Sequence, residues 1–372
     1  MKKLLGHIVF LVVYISAVVF FNKSLVFERP ADYPEGIEYA KAKVIEVVSD
    51  DMNSDPDYGY VRIGRQVFKM EIISGEHKGK IVEAINYVTR VSQTEGKIGT
   101  KYIIGSYDDF IVTTVMYKDR SSVLYFLGIL FLILVLLIGR EKGIGAIAGL
   151  FVTLVNVVFL FIPMLINGVS AIPAAIIVVL LSTLYTMVLL NGFSKKSLIT
   201  TVSCTLCTAL AGMLAFVIGK VSNITTLNTP EAENLLFITD NCSFRIDNLL
   251  TAGILIASMG AVMDVCMSLV SSLNELKEQT PGLTAGQLWK SGMTIGKDIM
   301  GTMTNTLVLA FVGTSINSVL VYYMYSMPYM SLINTDFMVV EFIKGIIGSL
   351  AVVIAIPITT FLTARGLTKT NL

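Results

Sequence analysis

Val123–Gly139 reads VLYFLGILFLILVLLIG, seventeen consecutive residues without a charge. The run is bounded by Arg120 before it and by Arg140, Glu141 and Lys142 after it. A helix needs roughly 17–25 apolar residues to cross a hydrocarbon layer about 30 Å thick, so this stretch points to a membrane span. Six more follow: Ile144–Ile166, Ile172–Leu190, Leu198–Ile218, Leu249–Val270, Met300–Met324 and Phe342–Leu362. Another precedes it. Met1-Lys2-Lys3 leads into an apolar run, Leu4 to Phe21, with no small-x-small cleavage pattern before Asn22 and Lys23. That favours an uncleaved anchor over a removed signal peptide. The expected fold class is therefore an α-helical polytopic membrane protein of about eight transmembrane helices.

Composition agrees. Of 372 residues, 54% are hydrophobic and 15% charged, and mean hydropathy is +0.73. Soluble chains carry about a quarter charged residues, so the deficit belongs to a membrane protein. A net charge of +1 supplies no field for nucleic acid, and no nucleic-acid partner is expected. With His7 and His77 as the only histidines, a His-based zinc site or H-E-x-x-H protease is excluded. Cys204, Cys207 and Cys266 lie in apolar stretches and Cys242 in a polar loop, which is no disulfide framework. The C-x-x-C of Cys204 and Cys207 stacks both on one helix face and reads as packing. No metal or cofactor is expected.

Residues 31–120 differ in character. Period-two alternation runs through Tyr39–Val48, Gln66–Ile73, Lys80–Val88, Lys101–Tyr107 and Phe110–Tyr117, with turn-rich breaks at Ser74-Gly75-Glu76 and Glu95-Gly96-Lys97. Five strands without helical period predict a small all-β domain, an OB-like barrel or a sandwich, inserted after the first span. Asp51, Asn53, Asp55 and Asp57 alternate like the start of a calcium loop, but Pro56 and Arg62 stand where the Gly and Glu are required. An acidic, solvated hairpin loop is expected instead. The domains are then 1–30 (anchor), 31–120 (β domain) and 121–372 (seven-helix membrane domain).

Basic residues mark the cytoplasmic loops of membrane proteins. Alternate connections carry them here: Arg140 and Lys142; Lys195 and Lys196; Lys277, Lys290 and Lys297; Arg365 and Lys369. The other connections are neutral or acidic. Both termini are therefore expected inside and the β domain outside. Within Ser272–Ile299, Thr280-Pro281-Gly282 breaks the chain, and Leu283–Met293, with the only tryptophan, Trp289, predicts a short interfacial helix.

Polar groups inside a bilayer are costly and ask for a role. Gly260, Asp264, Ser268, Ser271 and Glu275 recur at three and four residues, hence on one helix face. Asp298, Thr302 and Asn305 share a face of the next span, beside Gly301. Consecutive antiparallel helices usually pack together, so the two faces are expected to meet. Such a cluster would be a substrate, cation or proton site, Asp264 supplying charge and Ser268, Thr302 and Asn305 neutral oxygens. The plainer reading is a helix–helix hydrogen-bond clamp. Glu341 and Lys344 read as an i, i+3 interfacial ion pair, Pro357 as a kink, and Gly145 with Gly149 as a close-packing G-x-x-x-G.

Gly260-Ala261-Val262-Met263-Asp264-Val265, with Ser271-Ser272-Leu273-Asn274-Glu275-Leu276, resembles the signature of the YibE/YibF-like family of bacterial multi-pass membrane proteins. So does Gly296–Leu307, GKDIMGTMTNTL. The likeness extends to Glu231-Ala232-Glu233 and to the anchor with its β domain. The resemblance implies that the two motif faces are the family's hallmark and that the chain resides in the bacterial cell membrane.

No G-x-x-x-x-G-K-[ST] occurs, so nucleotide coupling is not expected. The leading expectation is a transporter or permease for a small solute or ion, coupled to an ion or proton gradient through the intramembrane polar site. The alternative is a membrane-anchored scaffold whose β domain binds an envelope protein. An enzyme is not expected: an intramembrane aspartyl protease needs two carboxylates sharing a site, and the Gly-x-Gly-Asp signature of one such class is missing. The expected partners are thus the lipid bilayer, an unknown solute or ion and an envelope protein.

Overall fold

The computed structural model describes Tyr14, Ser16 and residues 36–107, 110–239 and 244–368. The Leu4–Phe21 span, apart from Tyr14 and Ser16, lies outside the described residues, as do Cys242 and Lys369. The chain divides into two compact units, Ala31–Leu134 and one that holds Val135–Leu372 with Tyr14.

The first unit is built on five strands: β1 (Glu38–Ser54), β2 (Arg62–Ile72), β3 (Ile81–Val88), β4 (Lys101–Ser106) and β5 (Thr113–Lys118). They close into a barrel in the order β1-β2-β3-β5-β4, so the barrel and not the sandwich forms. Pairing is antiparallel except between β3 and β5. The alternating apolar residues turn inward, and Ala42, Val44, Phe68, Met70, Ile72, Ala84, Tyr102 and Ile104 are wholly buried. A polar network closes one end of this core. Asn86 Nδ2 donates to Gln66 Oε1 at 3.2 Å and to the Thr94 carbonyl at 3.1 Å, and Tyr102 Oη donates to the same carbonyl at 2.6 Å.

The β1–β2 hairpin leaves Asp51, Asn53 and Asp57 exposed, as expected of a solvated acidic loop, and corrects that expectation at Asp55. Asp55 is 2% exposed. Its carboxylate accepts from the amides of Asp57 and Tyr58 at 2.9 and 3.0 Å and from Arg90, which also reaches Asp57. Alternating acidic residues look solvated in sequence because the compensating arginine lies 35 positions away.

β5 passes into the first helix through Asp119 and Arg120 alone. Asp119 accepts from the Ser121 amide at 3.0 Å and its hydroxyl at 2.6 Å, as a helix-capping carboxylate does, and Lys41 of β1 pairs with it at 3.2 Å.

Among the described residues, six helical stretches are long and apolar enough to cross a membrane: Ser121–Ile166, Ala171–Asn191, Lys195–Val221, Leu249–Gln279, Ala285–Met324 and Asp336–Thr368. In chain order the helices are α1 (Ser121–Asn156), α2 (Ile162–Ile166), α3 (Ala171–Asn191), α4 (Lys195–Val221), α5 (Ala232–Thr239), α6 (Leu249–Gln279), α7 (Ala285–Met324), α8 (Tyr329–Leu332) and α9 (Asp336–Thr368). A π-helical turn, Val157–Phe161, joins α1 to α2. The helical stretch Ser121–Ile166 is broken at Arg140, whose φ of 47 and ψ of −125 are not helical. A Cβ at Gly143 would lie 2.4 Å from the Val135 carbonyl oxygen, so the chain turns back there, and the spans expected at Val123–Gly139 and Ile144–Ile166 are two helices. Large side chains from Val123 to Ile138 are exposed almost without exception, a surface far more apolar than water tolerates.

α6 sits centrally, packing on α3, α4, α7 and α9. The core around it includes Cys204, Cys207, Val262, Cys266, Leu269, Ala351 and Ala355, so the C-x-x-C is buried packing with free thiols. The close-packing reading of Gly145 and Gly149 has a visible basis. A Cβ at Gly149 would lie 2.8 Å from Thr186 of α3, and one at Gly145 would lie 3.2 Å from Leu190. The expected interfacial helix is not separate. A capping box of Thr284 and Gln287 starts α7 directly after the Thr280–Gly282 turn, and the helix then runs 40 residues. Trp289 packs edge-on against Phe361 of α9, centroids 6.2 Å apart. α9 carries Pro357 inside one continuous helix.

Candidate functional site

Three- and four-residue spacing along α6 does place Gly260, Asp264, Ser268, Ser271 and Glu275 on one face. The structure extends that face backward to Gly253 and Ala257, and all seven residues are exposed. Val262, Val265, Cys266 and Leu269, on the other sides of the same helix, are 0% exposed. The stripe is about 33 Å long at about 1.5 Å per residue and contains no large apolar side chain. Among the described residues, Asp264, Ser268 and Ser271 make no side-chain hydrogen bond or ion pair, and Glu275 accepts one bond from Gln279 at 2.9 Å.

On α7, Asp298, Thr302 and Asn305 likewise share an exposed face, with Gly301 beside them. Thr302 donates back to the Ile299 carbonyl at 3.0 Å, a local helical bond, while Asp298 and Asn305 have no side-chain partner among the described residues. The expectation that the two faces meet is corrected. α7 turns Gly292 and Gly296 inward, where Cβ atoms would meet Leu273, Thr360 and Ile356 at 2.2–2.9 Å. Close approach at those two glycines fixes the rotation of α7, and Asp298, Thr302 and Asn305 are left on the outer surface. The seven sequence-predicted residues therefore form two exposed polar faces and not one internal cluster.

Of two further polar clusters, sequence reasoning saw one in part and passed over the other. Ser315 of α7 donates to Glu341 Oε2 at 2.7 Å, and Glu341 Oε1 pairs with Lys344 at 2.7 Å. The expected ion pair is present, but it also ties α7 to α9. Deeper in the helical unit, Tyr14 donates to Asn156, whose Nδ2 donates to Ser182 Oγ at 2.9 Å. Asn156 is 0% exposed and is an amide in the middle of an apolar run, a signal available in the sequence.

Long apolar helices whose lipid-length surfaces lie exposed, joined to a small barrel, fit the class of helical membrane proteins. The particular family follows from comparison. Residues 127–369 match the YibE/F-like protein family, and the chain belongs to it. The matched region contains both polar faces, and the barrel lies outside it. Comparisons with curated proteins and with solved structures give no match.

Proposed function

We propose that the chain is a multi-pass transporter of the bacterial cell membrane that moves a small solute or ion along the polar face of α6. The observation that carries the reading is the stripe from Gly253 to Glu275. Hydrocarbon cannot solvate a carboxylate or a hydroxyl, and an uncompensated charge in a bilayer costs several kcal/mol. A central helix that turns Asp264, Ser268 and Ser271 outward, without internal partners, is therefore suited to a water-filled path. Asp264 supplies the charge that an ion or proton needs there. Small residues at Gly253, Ala257 and Gly260 leave room beside it. The accompanying topology is eight spans, both termini cytoplasmic and an OB-like barrel outside.

The test is difference infrared spectroscopy of the reconstituted full chain, following the Asp264 carboxyl through a pH sweep and through Na⁺ addition at fixed pH. A band that responds and is lost in Asp264→Asn, together with loss of ion-driven flux, is the expected outcome. If the band is silent and Asp264→Asn behaves as wild type, the transport reading fails. The scaffold alternative then gains, supported by a barrel that leaves Tyr60, Val91 and Ile111 88%, 97% and 78% exposed.

A further inference from the structure

At the end of the helices away from the basic connections, α4, α6 and α9 diverge around a cavity of about 720 Å³. That volume lies within the roughly 300–1,000 Å³ of small-molecule sites. Its floor is apolar: Ala215, Ile224 and Ile254 are all more than nine-tenths buried, and Ile343 of α9 also lines it. Its polar lining is open to a ligand. Lys220, Asn223, Asn248 and Thr251 all border the cavity, and among the described residues none of these side chains makes a hydrogen bond or an ion pair.

Each idle group has a structural reason. Lys220, in the last turn of α4, lies over the ring of Phe216 with Nζ 4.6 Å from its centroid, a contact that leaves the ammonium's donors available. Asn223 and Asn248 have φ of 52 and 62, left-handed values that asparagine tolerates better than most residues. Asn248 also stands at the start of α6 without capping it through its side chain. Thr251 as a residue is 8% exposed, and it borders the cavity near the start of α6. Among the described residues that line the cavity the one carboxylate, Asp247, is engaged by Arg245 at 3.3 Å, and none pairs with Lys220.

A single cation and three neutral hydrogen-bonding groups over an apolar floor are complementary to one class of ligand. We infer that this cavity binds an amphipathic anion, its carboxylate or phosphate held by Lys220 and Thr251 and its hydrocarbon part on the Ile254 and Ile343 floor. The inference concerns binding and holds whether or not the protein transports. A soluble organic acid and an acidic phospholipid headgroup share this chemistry.

Both sources are tested with the full-length protein in nanodiscs, by thermal denaturation. In phosphatidylcholine discs, hexanoate is titrated, with hexylammonium as the opposite-charge control. In parallel, phosphatidylglycerol replaces part of the phosphatidylcholine. A saturable rise in melting temperature of about 1–2 °C, as expected for roughly 1 kcal/mol of linkage in a chain of this length, should follow hexanoate or phosphatidylglycerol but not hexylammonium. A response to hexanoate identifies a soluble acid as the ligand; a response to phosphatidylglycerol alone identifies the headgroup. Lys220→Gln and Thr251→Val should lose most of the shift, while Lys290→Gln, at the far end of the helices, keeps it. Should Lys220→Gln fail to fold, Thr251→Val decides. No shift with either anion, or an undiminished shift in the variants, overturns the assignment.

Discussion

Asp55 persists as a buried carboxylate because Arg90 and two backbone amides stabilise its charged form. The hydrogen bond from Arg90 is the largest cause holding its pKa below the ordinary carboxylate value, against the opposing effect of burial. The sign follows: a group whose pKa is lower in the folded state stabilises the fold above its unfolded pKa of about 3.9 and loses that contribution as pH falls through the folded value. Asp119 is lowered too, first by the Ser121 hydroxyl, and acts in the same direction. Melting of the full chain followed by the barrel's β signal should therefore fall on acidification below about pH 4. Arg90→Gln should melt earlier at neutral pH and show a shallower acid dependence. Parallel curves for the two proteins would remove the clamp from the account. At this scale the sequence was informative where chemistry is unusual for its surroundings. Asp264 stands out in an apolar helix, and the structure leaves it unpartnered among the described residues. Asp55 was misread, since one neighbour distant in sequence reverses its environment.

Among the helices, glycine decides how closely axes approach. Gly149 faces Thr186 at a distance that admits no added atom without movement. Gly149→Val should destabilise the α1–α3 contact by about 1–3 kcal/mol, the usual range for overpacking. The check is denaturant titration in mild detergent, with Gly128→Val as control, where nothing lies within 4 Å of an added Cβ. An equal cost at both positions would mean that helix propensity and not packing is at work. Periodicity made the α6 stripe legible, because side-chain position around a helix is fixed by spacing. It could not reveal the rotation of α7. That depends on Gly292 and Gly296 admitting Leu273, Thr360 and Ile356, three contacts from two other helices. The 40-residue length of α7 was hidden because the polar stretch around Lys297 and Asp298 separated a short interfacial piece from the apolar run, whereas the helix capped by Thr284 continues through it.

For the molecule as a whole, a barrel formed from its alternating runs, and the apolar runs among the described residues became helices. Strand order was not readable, because alternation specifies which side of a strand is buried and not which strand is its neighbour. The break between the first two spans of the helical unit was readable: Arg140, Glu141 and Lys142 signal a turn, and the helical stretch breaks at Arg140. The proposed topology makes a direct prediction. In a Cys242→Ser background the remaining thiols, Cys204, Cys207 and Cys266, are buried. Val91→Cys on the barrel should then react with a membrane-impermeant maleimide in intact cells, and Lys142→Cys only after permeabilisation. The reverse pattern would invert the proposed orientation.

Trp289 is the chain's only tryptophan, and its ring lies against Phe361 where α7 meets α9. Intrinsic indole emission from the unlabelled protein therefore has a single address. Any spectral change on adding a solute, shifting pH or changing lipid reports on that one inter-helix contact, so the native protein carries its own optical gauge of α7 moving against α9.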